Sequence, residues 1–73
     1  MELKPGQQVV WSYRPQKMRR HLILVDAEVI QYGHLRTRIC IHTEHNVVLF
    51  RWVHPKNLRP KSPQEPAYLY PDE

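Results

Sequence analysis

The chain has 73 residues, 41% of them hydrophobic, which is enough for one domain with a single thin core and too little for two. Lys and Arg outnumber Asp and Glu by 11 to 7, for a net charge of +4, and the lone cysteine, Cys40, excludes an internal disulfide or a zinc site built on paired cysteines of one chain. No apolar run approaches the ~20 residues of a membrane helix, and Met1 to Gly6 lacks the basic start and apolar stretch of a secretion signal, so a cytoplasmic protein with no membrane association is expected.

The charge is unevenly placed. Residues 1–60 hold three Lys and seven Arg against Glu2, Asp26, Glu28 and Glu44, a net of +6, whereas residues 61–73 hold Lys61 against Glu65, Asp72 and Glu73, a net of −2. A basic body followed by an acidic tail points to a polyanionic or acidic partner.

Lys4-Pro5-Gly6 is a turn signal, because proline presets φ and glycine accepts the positive φ of a type II turn. A first strand is predicted over 7–13, with Val9, Trp11 and Tyr13 on one face and Gln8, Val10 and Ser12 on the other. Arg14 to Arg20 carries four positive charges and a proline without apolar periodicity, and reads as an exposed loop. His21 to Tyr32 is long enough for a helix. Its β-branched Ile23, Val25, Val29 and Ile30, and the reversal at Tyr32-Gly33-His34, favour a second strand.

Alternation is clearest from Leu35 to Thr43. Leu35, Thr37, Ile39, Ile41 and Thr43 form a dry face, and His34, Arg36, Arg38, Cys40 and His42 a wet one. Glu44-His45-Asn46 then turns the chain into a fourth strand over 47–53, with Val47, Leu49, Arg51 and Val53 opposite Val48, Phe50 and Trp52. Both faces of that strand are largely apolar, so the Val48, Phe50 and Trp52 side calls for a cover; core packing is the expected fate of Phe50 and Trp52. Pro55 and Asn57 break the sheet with one 3₁₀ turn, and Leu58 to Pro60 adds a closing strandlet. The last thirteen residues, 61–73, hold three prolines and no periodicity, and a flexible tail is expected, its only sticky patch being Tyr68, Leu69 and Tyr70.

This order of elements resembles a five-stranded SH3-like small barrel of the KOW and Tudor-like branch. The likeness rests on Lys4-Pro5-Gly6 before strand one and a Val-x-x-x-x-Leu segment, Val53 to Leu58, closing the barrel. The Pro-Gly start and Leu-Arg-Pro end are also similar to those of a group of small bacterial proteins that implies no activity. The resemblance implies an all-β barrel over residues 1–60, with 61–73 as a Pro-rich acidic appendage.

Basic residues interleaved with aromatics suit nucleic acid, since cations neutralise phosphate and rings stack on bases. The candidates are Arg14, Lys17, Arg19 and Arg20 beside Trp11 and Tyr13, and Arg36 and Arg38 flanked by His34 and His42, with adjacent strands joining the two groups into one patch. A solvated strand face remains the plain alternative for Arg36 and Arg38. Cys40, His42, His45 and His54 match no zinc spacing, and no base or oxyanion site accompanies Cys40. The expectation is therefore a monomeric, non-enzymatic module without metal or cofactor that binds DNA or RNA weakly and with little sequence preference. The alternative is an adaptor that docks on a protein through Phe50, Trp52 and the tail aromatics.

Overall fold

A computed structural model describes residues 2–14 and 22–70. Five antiparallel strands form one sheet: β1 (Gln8–Tyr13), β2 (Ile23–Gln31), β3 (Thr37–His42), β4 (Val48–Val53) and β5 (Leu58–Pro60), in the spatial order β4-β3-β2-β1-β5. A 3₁₀ turn, Pro55–Asn57, joins β4 to β5. Among the described residues there is no helix long and apolar enough to cross a membrane.

Local chemistry sets each reversal. The Gln7 N–H donates to the Lys4 carbonyl at 3.0 Å with Gly6 at φ 86°, the turn geometry read from Lys4-Pro5-Gly6. Between β3 and β4, Asn46 takes φ 62° and Thr43 exchanges hydrogen bonds across the turn, its N–H donating to the Val47 carbonyl at 2.9 Å and its hydroxyl accepting from the Val47 N–H at 3.2 Å. Counting outward from that pair places Phe50 opposite Cys40 and Trp52 opposite Arg38.

The sheet is open. β4 and β5 are its edges, and no ladder joins them into the closed barrel expected from the sequence; β5 is three residues long and ends on Pro60, which has no N–H to offer. Curvature takes the place of closure. Val9 and Trp11 of β1, Val25, Ala27 and Val29 of β2, Ile39 and Ile41 of β3, Val53 of β4 and Leu58 of β5 belong to one buried cluster, so the sheet wraps its inner face with no second layer among the described residues.

Three expectations fail here. Leu35 is 82% exposed, because Tyr32 to Arg36 forms a loop and β3 starts only at Thr37, whose hydroxyl is held by the Gly33 backbone. Phe50 and Trp52 are not core: they are 48% and 50% exposed on the outer face, and Leu49 and Val53 take the inner positions. Residues 61–70 are not a loose tail. Tyr68 exchanges backbone and side-chain hydrogen bonds with Asp26, Lys61 pairs with the same carboxylate at 2.6 Å, Tyr70 forms a parallel bridge to Thr43, and the Tyr70 ring stacks on Trp11. The segment thus fills the gap left beside β2 where β3 ends. It also accounts for Val10, fully buried although it lies on the outer face: its cross-strand neighbours Asp26 and Arg59 are tied to Lys61, Tyr68 and Glu65.

Candidate nucleic-acid interface on the outer face of β3 and β4

The alternation of β3 puts Thr37, Ile39 and Ile41 inside and Arg38, Cys40 and His42 outside, as the sequence pattern requires. Cross-strand pairing then sets Trp52 directly opposite Arg38 and Phe50 diagonally beside it. The Arg38 guanidinium carbon lies 4.9 Å from the Phe50 ring centroid and 5.9 Å from that of Trp52, a double cation–π contact. Its Nε is buried without a hydrogen-bond partner among the described residues. Phe50 and Trp52 stay about half exposed with the guanidinium against their rings. Arg36, exposed one residue before β3, adds a second positive charge near the same end, and Val48 extends the apolar strip toward the turn.

The remaining outer face is less cationic. Cys40 sits between Glu28 and Phe50, and burial, followed by the Glu28 carboxylate, pushes its thiol above the usual range, which keeps it protonated at neutral pH. A shallow groove of ≈ 220 Å³ runs past Gln8, Asp26, Glu28, Cys40 and His42 to Tyr68 and Leu69. No group of three or more His, Cys, Asp or Glu side chains gathers at metal-binding distance among the described residues.

Of the other expected binding residues, Trp11, Tyr13 and Arg14 are described and lie away from this face. Lys17, Arg19 and Arg20 fall outside the described residues. Arg14 is exposed and follows Tyr13, which pairs with Ile23 at the start of β2, whereas Arg38 pairs with Gln31 at its end. Eight residue steps of about 3.3 Å put the two roughly 26 Å apart along β2, so adjacent strands do not merge them into one patch. Trp11 offers no face to a base. It is 7% exposed, with the Tyr13 ring 4.7 Å away and the Tyr70 ring stacked at 6.5 Å, and Tyr13 is half-buried in the same aromatic group.

Sequence reading missed that Phe50 and Trp52 belong with Arg38. The signal was present in the turn: a three-residue connection after Thr43 fixes the register of β4 on β3, and register alone brings the rings to the arginine. Comparison of the chain with protein-family models, with curated proteins and with solved structures finds no match.

Proposed function

We propose that the chain is a non-enzymatic binding module of the SH3-like small-barrel type that holds nucleic acid, with little sequence preference, on the outer face of β3 and β4. The observation that carries this reading is Arg38 set between two half-exposed aromatic rings. Arg38 and Arg36 supply charge for phosphate, and Phe50 and Trp52 replace Trp11 and Tyr13 as the rings open to bases. The +6 balance of residues 1–60 steers a polyanion toward the body of the molecule. Stacking on rings and charge contacts to phosphate discriminate little among bases, which favours tolerance of sequence.

A protein-docking reading has support of its own in Val48, about half exposed, which lengthens the apolar strip beyond the rings. Salt separates the two. Binding of duplex DNA that neutralises about two phosphates, one each for Arg36 and Arg38, has a log-log salt slope of roughly −1.8, while apolar docking barely responds. The test is a fluorescence titration with labelled DNA and RNA at low and physiological salt, on the wild type and on Arg36→Ala/Arg38→Ala. Affinity that falls steeply with salt and drops in the double variant supports the proposal; affinity that is insensitive to both contradicts it.

A further inference from the structure

We infer that the β3–β4 face is built for unpaired bases, so that its ligand is a single strand and not a duplex; this rests on the nucleic-acid reading above. Phe50 and Trp52 are two residues apart on one strand and point the same way, which spaces them by about 6.8 Å. Each ring is about half exposed even with the Arg38 guanidinium against it. A duplex keeps the faces of its bases inside the stack and presents only edges and phosphates, so it can use Arg36 and Arg38 but has nothing to lay on the rings. An unpaired strand can place one base on each ring and a phosphate by Arg38 between them.

The position of the cation favours this occupant over an apolar protein surface. The Arg38 guanidinium lies over both rings, and its Nε is buried with no acceptor among the described residues. An apolar partner would cover that charge and give it nothing, which is costly. A phosphodiester between two stacked bases brings acceptor oxygens to the place where the guanidinium lies. The edge of β4 is less open than its face, because Arg51 donates to the Phe50 carbonyl at 2.9 Å and so occupies an acceptor that an added strand would need.

The experiment uses the full chain, a short fluorescein-labelled mixed-sequence DNA strand and the matching duplex. Phe50→Leu and Trp52→Leu keep apolar bulk and remove the π-face; Phe50→Tyr and Trp52→Phe keep the π-face. Thermal unfolding of each variant checks that the sheet is intact. The expected result is single-strand affinity about tenfold or more above duplex affinity, a loss of about fivefold or more in each Leu variant and recovery in the aromatic ones. Equal affinity for strand and duplex, or Leu variants that bind the strand like wild type, overturns the inference and leaves nucleic-acid binding resting on charge alone. Binding to neither at low salt overturns both readings.

Discussion

A Cβ on Gly33 would stand 2.4 Å from the carbonyl oxygen of Arg36, a backbone atom that cannot swing aside as a side-chain tip can. Gly33→Ala should therefore cost about 1 kcal/mol or more and displace the very loop that carries Arg36, a loss readable in denaturant unfolding. Thr37 acts from the other side of the same loop. It is fully buried, and its hydroxyl donates to the Gly33 carbonyl at 3.2 Å and accepts from the Gly33 N–H at 3.3 Å. Thr37→Val conserves the volume and strands two backbone groups, at a cost of about 1–3 kcal/mol by the same measurement, whereas Thr37→Ser should keep most of the stability. The wet positions behave otherwise. Arg38→Gln removes a cation–π contact worth about 0.5–2 kcal/mol, so it should lower the melting temperature by about 2–10 °C, and the loss of binding is what sets it apart from the loop variants.

The element that holds most information beyond the strands is the segment after β5. Glu65 receives two hydrogen bonds from Arg59, at 2.5 and 2.7 Å, and one from the Ser62 N–H, and these, Arg59 first, hold its carboxyl down at about 2 from an ordinary 4.5. A depressed carboxylate stabilises the docked segment fully above about pH 4.5 and loses that contribution as pH falls toward 2. The protection factor of the Tyr68 amide, which donates to Asp26, should fall across that window once the intrinsic exchange rate is divided out, and Glu65→Gln should weaken that pH dependence. If Glu65→Gln titrates as wild type does, the Arg59 pair is not what pins the segment. At the opposite edge, Arg51 covers the Phe50 carbonyl that points away from β3 in this register. Arg51→Val should raise self-association of an edge that is otherwise apolar and free of proline, visible by light scattering.

The elements differ in how far their residues announce them. Period-two alternation made β1, β3 and β4 legible, β-branched content and the reversal at Tyr32-Gly33-His34 pointed to β2, and Pro55 and Asn57 marked the 3₁₀ turn ahead of β5. Docking of residues 61–70 was not legible, because it depends on a bidentate Arg59–Glu65 pair and on Asp26, partners whose sequence separation carries no period. The candidate site stood halfway. Arg36 and Arg38 could be read from alternation, while the burial of Trp11 and the exposure of Trp52 depend on which aromatic meets Tyr70 and which strand ends at the sheet edge.

At the scale of the whole molecule, a single curved sheet has to spend its inner face on the core, so recognition is left to the outer face and the edges. Part of the outer face is taken by the segment from Lys61 to Tyr68, tied to Asp26 of β2; the part over β3 and β4 carries the arginine-aromatic group, its rings about half exposed. Positive charge at the two ends of β2 then belongs to two separate regions, and only one of them is furnished with exposed rings among the described residues. The most direct measurement is the map of backbone amide shifts when an unlabelled single-stranded oligonucleotide is titrated into ¹⁵N-labelled protein. Changes concentrated at Arg36, Arg38, Phe50 and Trp52, with the indole N–H of Trp52 moving and that of Trp11 still, are the expected result; changes confined to the Arg14 end, or none at low salt, would contradict it.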